Sequence, residues 1–386
     1  MNKTVLCLFP FGKGMGVGHA VRQGVLAREL RANNCETILW SSGAFDEIPA
    51  NLVAEMKESF SAVIRPTAVI DEASQFPSAR ALDALKNIEG LRAVIVDDYR
   101  KTGDPKRRET LRALKSFAHE RGAKVVIVDG VRGLEFDEAD VIWNMELGQD
   151  ETLYSPAWKK KMIRGVEYAL LRPSTLTPEP ITERLPENAF FVMIGGTDPR
   201  NAAESILDGM IGTGYNPIIL AMKSTKPEDA AKMEGLRAVL GKFPQSAWLA
   251  NLSAGQICTL WRHAKFAIVG PGSSPCAEAF YNRCPLIGAF TNPSLEENVK
   301  ALERIGMPTL RAKNHKEFMA SWEDKNSTLE AKFSPDDVRA AVNKLEALGY
   351  IATRLPDVPP FNQVDGKSAA RIVEALGLAD QTVTAV

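Results

Sequence analysis

Over the first part of the chain, short apolar runs alternate with amphipathic stretches. The runs are 4–10 (TVLCLFP), 36–42 (ETILWSS), 92–98 (RAVIVDD), 124–130 (KVVIVDG) and 140–144 (DVIWN). They are close to continuous in Val, Ile and Leu, which is the signature of parallel strands covered on both faces. Between them, HAVRQGVLARELRAN, SARALDALKNI and DPKRRETLRALKSFAHERG place apolar residues three and four apart, the spacing of one helix face, and the last stops at Gly122. Alternating strand and helix signals predict a doubly wound α/β domain.

The pattern breaks around Pro173, where RPSTLTPEPITERLPEN carries four prolines and no apolar period. It then resumes with strands expected at 189–196, 216–222, 265–270 and 284–290, separated by helical stretches such as NAAESILDGMIG, SAGQICTLWRHA and SSPCAEAFYN. The expected organisation is an N-terminal α/β domain over 1–174, a linker over 175–188 and a second α/β domain over 189–366. A helix and tail over 367–386 are left to pack on either domain, and fold analogy alone sends them back to the first. Doubly wound sheets bind ligands beyond the carboxyl ends of their strands. Two Rossmann-like domains facing a cleft are therefore expected, with the useful residues just after strands.

A length of 386 residues fits two cores better than one. Lys and Arg number 47 against 48 Asp and Glu, a balance that argues against affinity for a nucleic-acid backbone. GKGMGVGH follows the first apolar run without a small-residue cleavage site, so that run reads as a strand and not a signal peptide. No apolar segment has the length of a membrane span. The five cysteines, Cys7, Cys35, Cys258, Cys276 and Cys284, are scattered through apolar segments, as expected of reduced, buried thiols in a cytoplasmic protein.

Four strand ends carry candidate chemistry. The first, MGVGHAVR, holds Gly16, Gly18, His19 and Arg22 at the mouth of a helix. A glycine-rich turn there suits an anionic group. The spacing is not the dinucleotide fingerprint, and the second strand ends WSSG with no acid, so a nicotinamide cofactor is a poor fit. The dipole of a helix N-terminus favours a neutral imidazole, which can accept a proton; His19 is a candidate general base and equally a helix-cap residue. The second, VIVDDYR, puts Asp97, Asp98 and Tyr99 at a strand end, to orient a histidine, bind sugar hydroxyls, hold a metal or cap the strand. Asp129 ends the next strand. The third, MIGGTDPRN, runs into Gly195, Gly196, Thr197 and Asp198, either a phosphate cradle or a turn with Asp198 or Thr197 as N-cap. The fourth, IVGPGSSPCAEAF, offers Gly272, Ser273 and Ser274 at a helix start with Glu278 one turn inside: a diphosphate and ribose site, or a serine-capped helix with a capping-box acid. His119, His263 and His315 show no ligand spacing, and neither a metal nor a cofactor is implied.

These pieces together resemble the UDP-sugar hydrolases of the pseudaminic acid pathway, which release UDP from UDP-2,4-diacetamido-2,4,6-trideoxy-β-L-altrose and share the GT-B architecture of nucleotide-sugar glycosyltransferases. The matching stretches are GVGHAVR, LARELR, VIVDDYR, YALLRP, MIGGTDPRNAA and AKFAIVGPGSSPCAEAF with CPLIGAF, over roughly residues 1–310. The resemblance implies a UDP-sugar substrate and inverting cleavage of the anomeric C–O bond. It makes His19 the base, Gly195 to Asp198 and Gly272 to Ser274 the nucleotide loops and Glu278 the ribose acid, with helix dipoles in place of a metal. Leu8 and Pro10 stand where the family carries Arg and Asp, and Asn298 or Asn292 is left to reach the sugar. The nucleotide half of the pattern is kept and the sugar half altered. Transfer to an acceptor hydroxyl by a GT-B glycosyltransferase is the alternative reading, with the same base.

Overall fold

The computed structural model describes residues 3–9, 18–41, 50–64, 79–97, 105–129, 136–148, 152, 154–194, 198, 200–220, 230–292, 295–320 and 329–380. The chain divides into two compact units. Unit 1 comprises Met1–Met145, Asp150–Arg172 and Gly366–Val386; unit 2 comprises Glu146–Gln149 and Pro173–Asp365.

Unit 1 contains β1 (Lys3–Leu8), α1 (Gly18–Ala32), β2 (Cys35–Trp40), α2 (Ala50–Ser59), β3 (Ala62–Ile64), β4 (Leu91–Val96), α3 (Pro105–His119), β5 (Lys124–Asp129), β6 (Val141–Asn144), α4 (Pro156–Lys159) and β7 (Met162–Arg164). Its sheet has seven strands in the order β3-β2-β1-β4-β5-β6-β7, all parallel. The order reverses between β1 and β4, the switch point at which doubly wound sheets open toward ligands. Leu6, Leu8, Trp40, Val94, Val96 and Ile127 sit in one buried cluster with the helices, where truncation of any one to Ala costs about 2–5 kcal/mol. Gly122, just past α3, has φ of +69°, the left-handed conformation that lets the chain leave a helix and that glycine adopts without strain. The stretch 78–88, which the apolar spacing predicts as α-helix, forms a tighter 3-10 turn over Ala79–Leu85.

Unit 2 contains β8 (Ala189–Met193), α5 (Ala202–Met210), β9 (Asn216–Leu220), α6 (Ala230–Leu240), β10 (Ala247–Leu249), α7 (Ala254–His263), β11 (Phe266–Val269), α8 (Ser273–Tyr281), β12 (Leu286–Phe290), α9 (Glu296–Arg304), β13 (Thr309–Arg311), α10 (His315–Ala320), α11 (Pro335–Ala347) and α12 (Tyr350–Thr353). Its six parallel strands run β10-β9-β8-β11-β12-β13, and the order reverses between β8 and β11. The proline-rich stretch expected as a linker is laid along α7. Glu179 N–H donates to Gly255 O at 3.0 Å, Thr259 Oγ1 donates to Glu179 O at 2.6 Å and Gln256 Nε2 donates to Pro180 O at 3.2 Å. Prolines deny the segment helix or ladder bonds of its own, so its carbonyls are met by side chains of α7.

The last helix, α13 (Ser368–Ala375), belongs to unit 1 and packs on α1. Lys124 Nζ donates to Leu376 O at 3.3 Å and Lys3 Nζ to Leu378 O at 3.0 Å, so two strand-start lysines meet the carbonyl pole at the end of α13. Among the described residues no helix is long and apolar enough to cross a membrane.

Candidate functional site

In unit 1 the switch point brings two of the four predicted strand ends together. Asp97 N–H donates to Leu8 O at 2.8 Å, extending the β1–β4 pairing by one residue, so Asp97 lies beside the carboxyl end of β1. The chain leaving β1 returns as α1, whose second residue is His19. Helical geometry stacks residues three and four apart, so His19, Arg22 and Gln23 share one face of α1. All three converge on Asp97, which is completely buried. His19 Nδ1 lies 2.9 Å from Asp97 Oδ1. Arg22 donates through Nε to Oδ2 at 2.5 Å and through Nη2 to Oδ1, a two-pronged pair. Gln23 Nε2 donates to Oδ2 at 2.8 Å.

Burial alone would push the Asp97 carboxyl up, but Arg22 and then His19 beside it pull it well below the usual carboxylate range. An ionised carboxylate only accepts and a guanidinium only donates, so Nδ1, 2.9 Å from Asp97 Oδ1 and 2.7 Å from Arg22 Nη2, bonds one of them at a time; protonated on Nδ1 it donates to Asp97, and the neutral ring presents Nε2 as its basic nitrogen. Asp97 therefore orients the histidine, one of the roles its position leaves open. Arg22 meets Asp97 directly. Gly18 opens α1; Gly16, Asp98 and Tyr99 lie outside the described residues.

Asp129, at the end of β5, joins a different buried network. Its Oδ2 accepts from Asn144 Nδ2 at 3.0 Å and from the Tyr154 hydroxyl. Among the described residues no group of three or more His, Cys, Asp or Glu side chains has metal-binding geometry.

In unit 2 the third and fourth strand ends follow β8 and β11, the two strands that flank that sheet's switch point. They differ in a way the sequence leaves open. Asp198, buried and with φ of +45°, accepts the N–H of Ala202 through Oδ1 at 2.9 Å and of Ala203 through Oδ2 at 3.0 Å. Burial raises its carboxyl, and these two donors pull the other way. The positive pole of α5 is thus met by the chain's own carboxylate, while the N-cap position itself is held by Asn201, whose side chain makes no cap bond. Gly195, Gly196 and Thr197 lie outside the described residues.

The start of α8 has no such cap. Gly272 is its N-cap and has no side chain to offer, and Ser273 and Ser274 begin the helix. The neighbouring α7, by contrast, carries a full capping box from Ser253 and Gln256. Ser273 Oγ donates instead to Glu146 Oε1 at 3.1 Å, so a carboxylate already sits by the open helix end. Glu278 is not the capping-box acid; its Oε2 accepts from Trp261 Nε1 at 2.9 Å. Asn298, expected to reach a sugar, is buried, with Oδ1 accepting from Leu147 N–H at 3.2 Å and Nδ2 donating to Glu146. Both ends of its amide hold the segment 146–147.

Gln23, Glu146 and Trp261 were not foreseen. For Gln23 the signal exists: three polar residues at 19, 22 and 23 interrupt an otherwise buried helix face. The other two meet their partners only through the tertiary fold.

No protein-family description matches the chain, and no curated protein sequence matches it. Solved structures do. The glycotransferase of kitacinnamycin superimposes with a TM-score of 0.61 at 12% identity, over 97% of this chain and 99% of that one. The calicheamicin glycosyltransferase gives 0.56 at 13% identity over 100% of both chains. UDP-GlcNAc 2-epimerase from Neisseria meningitidis, bound to UDP-GlcNAc, gives 0.57 at 12% identity over 97% and 99%. At such identities the likeness establishes the fold: two Rossmann-like α/β units of the GT-B type.

Proposed function

We propose that this protein is an enzyme acting on a nucleotide sugar, which it transfers with inversion to an acceptor hydroxyl, and that His19 is the general base. The observation that carries the reading is the buried His19–Asp97 pair at the switch point of unit 1. His19 Nε2 takes the proton of the acceptor hydroxyl as its oxygen bonds to the anomeric carbon. The anomeric C–O bond breaks, its electron pair leaves with the diphosphate, and Asp97 stabilises the imidazolium that forms. Unit 2 supplies the nucleotide elements. The uncapped N-terminus of α8, with Ser273 and Ser274, offers backbone N–H groups and a dipole to the diphosphate. Glu278 takes the ribose hydroxyls. The nucleotide is proposed to be UDP, by analogy with the epimerase bound to UDP-GlcNAc.

A second reading replaces the acceptor with water, giving hydrolysis of a UDP-linked acetamido-deoxy sugar. It is favoured by the motifs GVGHAVR, VIVDDYR and MIGGTDPRN together. One proton NMR time course separates the two. UDP-sugars, including UDP-diacetamido-altrose, are incubated with and without a panel of hydroxyl acceptors. Transfer predicts UDP release and an inverted product only when an acceptor is present; free sugar without acceptor establishes hydrolysis instead. Tight UDP binding with no turnover of any donor would contradict both.

A further inference from the structure

Arg22 goes beyond what a histidine–carboxylate pair requires. A carboxylate that orients an imidazole through Nδ1 also attracts a second proton onto the ring, because its full charge favours the cation. In this protein the same carboxylate is gripped by a guanidinium. Arg22 Nε reaches Oδ2 at 2.5 Å, Nη2 reaches Oδ1, and Nη2 lies 2.7 Å from His19 Nδ1. The cation therefore sits against both members of the pair. Its side chain is 14% exposed and that of Asp97 is 0%, so solvent screens the interaction little.

We propose that Arg22 is a positioning residue that divides Asp97 between two tasks. Its planar fork fixes the carboxylate that sets the His19 tautomer, and its charge offsets the pull of Asp97 on a proton at His19. This rests on the reading of His19 as the base. It differs from a role in binding substrate, because Nε and Nη2 of Arg22 are engaged on Asp97. Among the described residues, the titratable and charged groups facing this pair are Arg22 from α1 and Cys7 from β1. Burial and the charge of Asp97 push the Cys7 thiol far up, so it is neutral. Gln23, also on Asp97, carries no charge.

The test compares the full-length protein with Arg22→Gln and Arg22→Lys, with Arg22→Met as a second neutral variant should Arg22→Gln not fold. Two quantities are read: the acid limb of kcat/KM against pH, and the pH titration of the His19 ring proton by NMR, assigned through its loss in His19→Ala. In the neutral variants both move to higher pH, by about one to three units, the range expected when a neighbouring cation is removed. Their activity is low at neutral pH and recovers on raising it. In Arg22→Lys both return most of the way toward wild type, while kcat stays lower because lysine cannot reproduce the fork.

An unchanged limb and resonance with a fall in kcat alone would reduce Arg22 to a scaffold and overturn the proposal. A rise in KM with both unchanged would overturn it in favour of substrate binding. If the ring resonance moves but activity persists in His19→Ala, the charge sharing stands and the assignment of the base falls, so the two failures are distinguishable.

Discussion

Replacing Asp97 with Asn keeps the shape of the side chain and removes its charge. In the structure every lone pair of this carboxylate that the fold uses faces a donor: Oδ1 meets His19 and Arg22, Oδ2 meets Arg22 and Gln23. Whichever oxygen becomes an amide nitrogen, its N–H groups point at an arginine N–H, so the variant gains a donor–donor clash and leaves the guanidinium without its counter-charge. Removing one partner of a buried pair costs about 3–5 kcal/mol; with Arg22 slightly exposed, about 3 kcal/mol is the better figure. For a domain of 150–250 residues that is a fall of about 6–12 °C in the transition of unit 1.

The pH dependence has a definite sign. The folded pKa of Asp97 lies below the usual value of 3.8, so the unfolded chain binds more protons between the two. The stabilisation is present above that usual value and is lost as pH falls below it. The difference in stability between wild type and Asp97→Asn should therefore be full at pH 6–7 and shrink below about pH 4. Without the carboxylate the Nδ1 proton is no longer preferred, and kcat should fall about 10²–10⁴-fold, the range for loss of an oriented base. Calorimetric melts across pH, with single-turnover rates at neutral pH, measure both. A variant that melts within 2 °C of wild type at pH 7, or turns over at the wild-type rate, would refute the reasoning.

Trp261→Phe keeps the buried ring and removes the donor to Glu278; KM for the nucleotide donor should rise by about 5-fold, with a much smaller change in kcat, and an unchanged KM would detach Glu278 from the ribose. Gly209→Ala should destabilise unit 2 by about 1–3 kcal/mol in denaturant melts, because a Cβ there would lie 2.7 Å from Val338 Cβ where α5 meets α11; an unaffected midpoint would mean that this contact yields. All five cysteines are free and buried, and burial pushes the Cys284 thiol up to about 12. A maleimide at neutral pH should therefore label the native protein at least about 10-fold more slowly than the unfolded chain, and one fast-labelling thiol would contradict the packing.

The strand pattern was legible in a selective way. Among the described residues, all nine interior strands of the two sheets coincide with apolar runs read from the sequence, and the four that do not, β3, β7, β10 and β13, are the sheet edges. Each edge strand has three residues and is only partly buried. A strand covered on one side needs no continuous apolar run, so its composition does not separate from loop. The α2 helix was missed as well. The site divides along similar lines. Asp97 is visible because it is a polar residue at the end of an apolar strand, where a doubly wound sheet opens, and His19 because it stands in a glycine-rich helix start that follows one. That they touch depends on β1 and β4 being neighbours, which no local pattern encodes. Asp198 reads equally well as cradle or cap, and its bonds to two N–H groups at the start of α5 are set only by the folded chain. The Trp261–Glu278 bond joins two helices and is likewise a product of the tertiary fold.

The central claim is that His19 is a base in a nucleotide-sugar reaction. It is tested most directly by comparing wild type and His19→Ala for UDP affinity by titration calorimetry and for donor turnover by NMR. The account predicts UDP affinity within about 2-fold and turnover reduced at least about 10²-fold. Turnover retained in His19→Ala would contradict it, and so would a collapse of UDP affinity, which would make His19 a nucleotide ligand or a structural residue.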